Sequence, residues 1–250
     1  MRLVTATGRQ LSTAEAKKGL ALRGVLFFDQ ATIEEVRSFL RDWTVPYPHP
    51  HESSPGITVI EPTGVEDKNG KGFTNQSLPL HTDRAHASVQ PTIVGCLYTA
   101  LACEGGESLL LDGARVIRRA REKQLLTNLD NVVLLAPGHP WLPVIKVSRG
   151  SELWRIRYRN DALARPHAAT VRAKPLLNLL REMPAPADHV FAPGQGYLIH
   201  NLRVLHGRRS FSGDRRALRV LATVAGSSEY AYLNDGFHLR AEHRTGETRG

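Results

Sequence analysis

The sequence is poor in cysteine, tryptophan and methionine. Its 250 residues include 2 Cys, 3 Trp and 2 Met, and aromatic residues make up 6%. Two cysteines, without a CxxC spacing or a nearby histidine cluster, exclude a disulfide framework and a structural zinc site as organising principles. We expect Cys96 and Cys103 to be buried free thiols in a reducing compartment.

Long apolar runs are also missing. None approaches the ~18 residues that a membrane span needs, and the first ten residues, MRLVTATGRQ, lack an apolar signal core. We therefore predict a cytoplasmic protein with no membrane partner. Since no linker, repeat or low-complexity tract divides the chain, we expect a single domain over 1–250. Its core would cover about 24–225, with a frayed tail after about residue 242.

The charge is unbalanced towards arginine. Lys and Arg number 33 against 24 Asp and Glu, which gives a formal net charge of +9, and only 7 of the cations are Lys. This favours a ligand that carries a carboxylate or phosphate. A basic stripe for nucleic acid is one alternative, on a helix that would carry Arg115, Arg118, Arg119, Arg121 and Lys123. Without interleaved aromatics or a recognised binding module, we interpret this helix as a solvated basic face and do not expect a nucleic-acid partner.

Periodicity and turn residues predict many short strands and a few helices. Ser12–Glu15 and Thr32–Glu35 both have the capping-box pattern, which predicts a helix start. Further helices are expected over 114–126 and 174–183, and Gly105-Gly106 is expected to close a hairpin. Strands are predicted over 24–28, 57–61, 73–83, 92–101, 108–112, 132–136, 144–147, 153–159, 196–206 and 215–225. The pattern favours a mainly β, double-sheet or jelly-roll core with flanking helices.

The tripeptide His81-Thr82-Asp83 is the sharpest local feature. On a strand, His81 and Asp83 would project to the same face while Thr82 faces away. One imidazole and one carboxylate are two legs of a two-histidine, one-carboxylate site for iron(II), which leaves coordination positions open. A third ligand is available at His206, which ends the apolar run 196–206. His200 has the same strand parity and is the competing choice.

An arginine with an apolar strand face follows ten residues after His206. Arg216 shares its parity with Leu218 and Val220, whereas Arg215 and Arg219 share a more polar face. A guanidinium that faces an apolar interior needs an anionic partner. We therefore expect Arg216 to point into the barrel and to bind a ligand carboxylate.

Together, HTD, EGGES and NLRVLHGRRSF…DRRALR resemble the taurine dioxygenase and clavaminate synthase-like family of iron(II)- and 2-oxoglutarate-dependent oxygenases. The resemblance extends from about residue 24 to residue 224. It implies a double-stranded β-helix (jelly-roll) core. It also implies a metal site of His81, Asp83 and His206, and 2-oxoglutarate binding by Arg216 and Ser108.

The family resemblance further implies that dioxygen and 2-oxoglutarate are co-substrates, and that an unactivated C–H bond is hydroxylated. The expected substrate is a small polar metabolite with a carboxylate, such as an amino acid or derivative in a biosynthetic pathway, free or tethered to a carrier protein. Candidate substrate contacts are Asn75, Gln76, Arg84, Asp161 and Arg219. Two alternatives stay open: a catalytically inactive jelly-roll binding protein, and an oxygenase that acts on nucleic acid.

Overall fold

Short antiparallel strands dominate the computed structural model, which describes residues 1–63, 71–101, 104–148 and 150–239. Cys103 and the predicted frayed tail lie outside the described residues. Cys96 is a free thiol. Within the described ranges, no helix is long and apolar enough to cross a membrane.

In the described part of the chain, four α-helices accompany the strands. They are α1 (Thr13–Arg23), α2 (Ile33–Arg41), α3 (Gly113–Glu122) and α4 (Lys174–Arg181), and single-turn 3-10 segments lie at Lys71–Phe73, Leu126–Asn131, Val171–Ala173 and Ala231–Asn234. Both predicted capping boxes are confirmed, because the side chains of Ser12 and Thr32 accept from the third helical N–H and Glu15 and Glu35 return the bond.

The strands are short. In chain order they are β1 (Arg2–Val4), β2 (Val25–Asp29), β3 (Thr44–Pro46), β4 (Ile57–Ile60), β5 (Leu78–His81), β6 (Ile93–Ala100), β7 (Glu104–Gly105), β8 (Ser108–Asp112), β9 (Val132–Leu135), β10 (Leu142–Pro143), β11 (Ile145–Ser148), β12 (Leu153–Ile156), β13 (Arg165–Ala168), β14 (Ala187–His189), β15 (Gly196–His200), β16 (Val204–Arg208), β17 (Phe211–Ser212), β18 (Arg216–Val224) and β19 (Phe237–His238).

Two sheets build the centre of the molecule. The large sheet has the order β1-β2-β15-β6-β18-β3, with β4 also paired to β18, and the small sheet has the order β14-β8-β16-β5. Smaller sheets of β10-β9-β13, β11-β12-β19 and β17-β7 complete the architecture. The mainly β prediction is therefore confirmed, and the strand pairs within the described residues are antiparallel.

The large sheet is covered on both faces. One face packs against α1 and α2 through a cluster that includes Leu20, Leu40 and Val220. The other face joins the small sheet in a cluster that includes Leu110, Val204 and Leu221. Residues of alternate parity on β18 therefore face the helices or the space between the sheets.

Two predicted connections differ from the structure. The predicted strand over 196–206 is two strands in different sheets, because the chain turns at Asn201–Arg203 between β15 and β16. The hairpin predicted at Gly105-Gly106 is wrong, because β6 belongs to the large sheet and β8 to the small one. Instead, β7 pairs with β17. Both connections cross between the sheets, and both lie next to residues of the candidate site.

Candidate functional site

Two neighbouring strands of the small sheet bring three potential metal ligands together. His206 on β16 pairs in register with His81 at the end of β5, and their ring centroids are 4.4 Å apart. Asp83 lies in the turn that follows β5 rather than on the strand. The ligand atoms of the three buried side chains all lie within 4.8 Å of one another. Within the described residues, this is the one group of three or more such side chains.

The competing histidine lies elsewhere. Nε2 of His200 is 2.8 Å from the carbonyl oxygen of Leu233, and its ring packs edge-on against Phe237. His200 ends β15 in the large sheet, whereas His206 is on β16 in the small sheet. The turn between them changes the strand parity, so that His206 rather than His200 joins His81 and Asp83.

Both imidazoles are in the neutral form, in which a ring nitrogen can donate its lone pair to a metal ion. Nδ1 of His81 lies 2.9 Å from the carbonyl oxygen of Pro79, which can only accept, so Nδ1 carries the proton and Nε2 keeps its lone pair. Burial, with His206 and Arg159 nearby, lowers the pKa of His81 to about 3. Burial also lowers the pKa of His206. Neutral imidazoles are the form that binds a metal ion.

Asp83 keeps its charge although it is buried. Burial alone would raise the pKa of Asp83, but Arg219 and the two imidazoles together lower it well below its ordinary value. Nη1 of Arg219 lies 3.1 Å from Oδ1 of Asp83. Oδ2 is buried without a hydrogen-bond partner among the described residues, and it lies 3.8 Å from Nε2 of His206.

The backbone of the Asp83 turn is held by two side-chain amides. Oδ1 of Asn201 accepts from the N–H of Asp83 at 2.7 Å, and Nδ2 of Asn201 donates to its carbonyl oxygen at 3.0 Å. Nε2 of Gln90 donates to the same carbonyl oxygen and to the hydroxyl of Thr82, both at 3.0 Å. Thr82 is fully buried on the other side of the turn, where its N–H donates to the carbonyl oxygen of Tyr158.

Two cavities meet at the three ligands. The sheet cavity lies between the two sheets, holds about 530 Å³ of empty space and is lined by residues that include Tyr98, Ser108 and Arg215. The loop cavity holds about 1020 Å³, part of it open to solvent, and is lined mainly by loop residues that include His49, Arg84 and Arg159. His81 and Arg219 line both cavities, so that a molecule in either one reaches the metal-ligand group.

A buried arginine projects into the sheet cavity. Arg215 is 6% exposed, and its guanidinium lies over the rings of Tyr98 (4.9 Å) and Phe211 (5.5 Å). Gly106, at φ +77°, makes room for it, since a Cβ there would lie 3.2 Å from Cδ of Arg215. Within the described part of the chain, no carboxylate lies within ion-pair distance of this guanidinium. A buried cation without a carboxylate partner suits an anionic ligand.

The prediction that Arg216 points into the barrel is wrong. The side chain of Arg216 is 53% exposed and pairs with Glu61, with Nε 3.3 Å from Oε2. Its neighbours of like parity, such as Val220, pack against α1 and α2 on the far face of the sheet. Arg215, Ala217 and Arg219 line the cavity instead. Beyond Arg216, the residues of β18 that share the parity of Val220 form its wholly apolar face, which is covered by α1 and α2. The face that carries Ala217 and Arg219 is partly polar and lines the sheet cavity.

Ser108, the hydroxyl predicted to contact 2-oxoglutarate, lines the same cavity as Arg215. Ser108 starts β8, is 2% exposed and lines the sheet cavity. Its Oγ hydrogen-bonds to the phenol of Tyr98 on the opposite sheet. Ser108 and Arg215 therefore offer a hydroxyl and a guanidinium to the same space.

Two of the five candidate substrate contacts line a cavity, and three do not. Arg84 and Arg219 line the loop cavity. Asn75 and Gln76 do not line either cavity; their side chains are exposed, and their carbonyl oxygens accept from Phe211 N–H and Arg208 Nη2. Asp161 does not line the sheet cavity or the loop cavity.

Three residues of the candidate site were not predicted from the sequence. His49, in the loop between β3 and β4, lies with Nε2 3.1 Å from Nη2 of Arg219. Arg159 lines the loop cavity, and Asn201 holds the Asp83 turn. Among these, only His49 carried a signal, since it forms a His-x-His pair with His51. Nothing in the local sequence marks Arg159 or Asn201, because their partners are far away along the chain.

The comparison with known families now adds to this geometry. Residues 4–131 match the family model described as "Taurine catabolism dioxygenase TauD, TfdA family". The chain belongs to the TauD/TfdA family. The resemblance predicted from HTD and the later motifs is thereby confirmed, and the family is one of dioxygenases. A curated relative, the trimethyllysine dioxygenase of Meyerozyma guilliermondii, is 25% identical over 173 residues. That match covers 60% of this chain but only 43% of the relative's length.

Solved structures of other proteins share the TauD/TfdA fold seen here. An asparagine oxygenase in complex with Fe(II), hydroxyasparagine and succinate has a TM-score of 0.64 at 15% identity, over 85% of this chain and 77% of that one. A taurine dioxygenase from Burkholderia xenovorans has a TM-score of 0.63 at 19% identity, over 87% and 83%. PvcB from Pseudomonas aeruginosa has a TM-score of 0.62 at 18% identity, over 88% and 90%. At these identities the likeness shows a common fold.

Proposed function

We propose that this protein is an iron(II)- and 2-oxoglutarate-dependent oxygenase that hydroxylates an unactivated C–H bond of a small polar metabolite. The carrying observation is the buried group of His81, Asp83 and His206, whose ligand atoms lie within 4.8 Å of one another. Beside this group is a cavity lined by the buried Arg215, which has no carboxylate partner among the described residues. Family membership supports the same reaction class. We further infer that the two facing sheets form the double-stranded β-helix of this family.

The residues present fit an iron(II) ion. Two neutral imidazoles and one carboxylate are the donor set typical of non-haem iron(II) oxygenases. The buried Oδ2 of Asp83 has no hydrogen-bond partner among the described residues, which is costly unless a cation completes its environment. His81, Asp83 and His206 would hold the ion and leave coordination positions for co-substrate. When bound, iron supplies the activation of dioxygen for C–H hydroxylation.

The sheet cavity provides the 2-oxoglutarate site in this proposal. Arg215 would form a bidentate, charge-assisted pair with the carboxylate that lies away from the metal. Ser108 would donate its hydroxyl to the same carboxylate. Tyr98 and Phe211 flank the guanidinium and fix its plane, which keeps a flexible side chain in one orientation. This assignment replaces Arg216, and it retains Ser108.

The loop cavity provides the substrate site. It is lined by Arg219 and His49 next to Asp83, and by the apolar side chains of Phe73 and Leu163. The pKa of His49 is lowered to about 4 by burial and by Arg219, so His49 is neutral at pH 7. A substrate with an anionic group suits these residues. It would be an amino acid or related metabolite, free or attached to a carrier protein.

Succinate release tests this function. The protein is reconstituted anaerobically with iron(II), given 2-oxoglutarate and oxygen, and screened against free and carrier-tethered amino acids and other small acids. We expect slow iron-dependent succinate release without substrate, and a strong stimulation by the true substrate. Asp83→Ala is the matched inactive variant. Succinate release that is equal in the wild type and in Asp83→Ala would refute the proposal.

A further inference from the structure

Arg84, His86 and Arg159 are three of the basic side chains that line the loop cavity, and none of them holds the metal or the co-substrate in the proposed function. Arg84 and His86 lie in the turn that begins at Asp83, and Arg159 follows β12. We call these three residues the Arg84 cluster. They come from two separate stretches of the chain, and the fold brings them to one wall next to the three ligands.

Arg159 is fixed in place by Asp161. Nε of Arg159 lies 2.8 Å from both carboxylate oxygens of Asp161, and Nη2 lies 2.7 Å from Oδ2. The N–H of Leu163 also donates to Oδ1 at 2.9 Å. Because these bonds occupy the acceptor positions of the carboxylate, Asp161 orients Arg159 rather than accepting a ligand ammonium group. Both side chains are 9% exposed, and Arg159 lines the loop cavity, so a rigid, desolvated ion pair forms part of the cavity wall.

Arg84 is held by the turn itself. Its φ of +52° lies in the left-handed region, which a residue other than glycine adopts only where its surroundings impose it. Its Nε is buried and, among the described residues, has no hydrogen-bond partner. No described carboxylate pairs with its guanidinium either. A partly buried arginine in this state is stabilised when an anion binds.

His86 adds a neutral donor. Its ring lies 4.7 Å from that of His139, and its Nδ1 is buried without a partner in the described part of the chain. Arg84 Nε and His86 Nδ1 are thus buried without a described partner, and they line one cavity together with the paired guanidinium of Arg159. Carboxylates and phosphates are the ligands that match such donors.

The charges of the side chains that line the two cavities also favour an anionic substrate. The guanidinium groups of Arg84, Arg159 and Arg219 are accompanied by the carboxylates of Asp83 and Asp161. In the proposed function, the iron(II) ion and Arg215 face the dianion 2-oxoglutarate. Arg208 also lines the sheet cavity, where its described hydrogen bonds go to backbone carbonyl oxygens. Positive charge therefore remains in excess across the two cavities, and a substrate with more than one negative charge would offset it.

We propose that the Arg84 cluster binds an anionic group of the substrate, and that this substrate carries two such groups. The second group lies at Arg219 and His49, on the part of the loop cavity next to Asp83. This inference rests on the proposed function, since it concerns the substrate of that reaction. The reacting carbon lies between the two anionic groups, where both fix its position relative to the metal ligands.

Matched pairs of compounds test the inference. Stimulation of succinate release at saturating 2-oxoglutarate is compared for N-acetylaspartate and N-acetylasparagine, for 3-phosphoglycerate and glycerate, and for a panel of neutral, monoanionic and dianionic metabolites without an ammonium group. We expect the highest kcat/KM with a dianion, and a loss of at least tenfold when one of its anionic groups is replaced by an amide or hydroxyl. A neutral, monoanionic or ammonium-bearing compound as the best substrate, or no stimulation by any dianion, would overturn the inference.

Variants then locate the second anion. In Arg84→Ala, KM for the best dianion should rise at least tenfold, while KM for its monoanionic analogue and for 2-oxoglutarate should stay within about threefold. Arg84→Lys should recover part of the loss because it keeps the charge. Arg165→Ala, at an exposed position on β13, is the control. Equal effects of Arg84→Ala on dianion and monoanion would refute the assignment.

The two proposals fail in different ways. Succinate release without substrate, dependent on iron and lost in Asp83→Ala, reports the proposed function alone. If that release is present and dianions are not preferred, only the inference about the Arg84 cluster is wrong. If iron-dependent release is absent under every condition, the proposed function is wrong and the inference falls with it.

Discussion

Arg219 binds one oxygen of the Asp83 carboxylate and leaves the other free. Nη1 of Arg219 lies 3.1 Å from Oδ1, whereas Oδ2 is buried and lies 3.8 Å from Nε2 of His206. The two oxygens of one carboxylate are thus assigned to different partners. This arrangement keeps Asp83 ionised in a buried position and presents a single oxygen towards the two imidazoles.

The first prediction concerns this pair. In Arg219→Ala, the pKa of Asp83 should rise, because burial raises it and the largest opposing influence is removed. Because the pKa is depressed in the wild-type fold, Asp83 stabilises that fold above its unfolded pKa and this contribution is lost as the pH falls. Carboxyl-carbon NMR titration of the metal-free protein measures the change. An Asp83 that stays ionised to equally low pH in both proteins would contradict it.

The second prediction concerns iron retention. His206→Ala should lose stoichiometric iron(II), because the two remaining ligands bind the ion weakly, whereas His200→Ala should retain it. Both histidines are buried, so that loss of stability alone does not distinguish them. Iron content after anaerobic loading and gel filtration gives the answer. Retention in His206→Ala together with loss in His200→Ala would reverse the ligand assignment.

The third prediction separates two adjacent arginines. Arg215→Ala should raise the apparent constant for 2-oxoglutarate by about 10- to 150-fold, the equivalent of roughly 1.5–3 kcal/mol for a charge-assisted bond. Arg216→Ala should change it by less than about threefold, because its pair with Glu61 is exposed. Titration of 2-oxoglutarate in the succinate assay decides between them. A large effect of Arg216→Ala, with little effect of Arg215→Ala, would support the prediction from the sequence that Arg216 and not Arg215 faces the cavity.

The fourth prediction concerns the amide that holds the Asp83 turn. Asn201→Ala removes both bonds to the backbone of Asp83 and should weaken iron(II) binding by about 10- to 100-fold, as is typical when the support of a ligand is lost. Asn75→Ala, at an exposed site, is the control. Iron(II) titration of the wild type and both variants, with each protein concentration corrected for the folded fraction, measures the change in affinity. Unchanged affinity in Asn201→Ala would show that the turn holds its shape without the amide.

The metal-ligand group was predictable because its signals are local. His81 and Asp83 are two residues apart, so residue type and spacing were enough to propose these two. The third ligand stayed open between His200 and His206 by strand parity, and the family resemblance implied His206. Asp83 nevertheless reaches the site from a turn and not from the strand. The capping boxes at Ser12 and Thr32 were equally local and are confirmed.

The arginine that faces the cavity was not predictable from its own strand. An apolar row on β18 could face the ligand space or a covering helix, and only the packing of α1 and α2 decides this. The contributions of Arg159, Asn201 and His49 depend on contacts between distant segments, such as the 118 residues that separate Asp83 from Asn201. Pairing across the two sheets creates these contacts, and no short window of sequence contains them.

Anaerobic calorimetry of 2-oxoglutarate binding tests the central claim most directly. The claim is that His81, Asp83 and His206 hold iron(II) next to the Arg215 carboxylate site. We predict one 2-oxoglutarate per iron-loaded chain, much weaker binding without iron, and little heat in either Asp83→Ala or Arg215→Ala. Binding of equal strength with and without iron, or unchanged in both variants, would contradict the account.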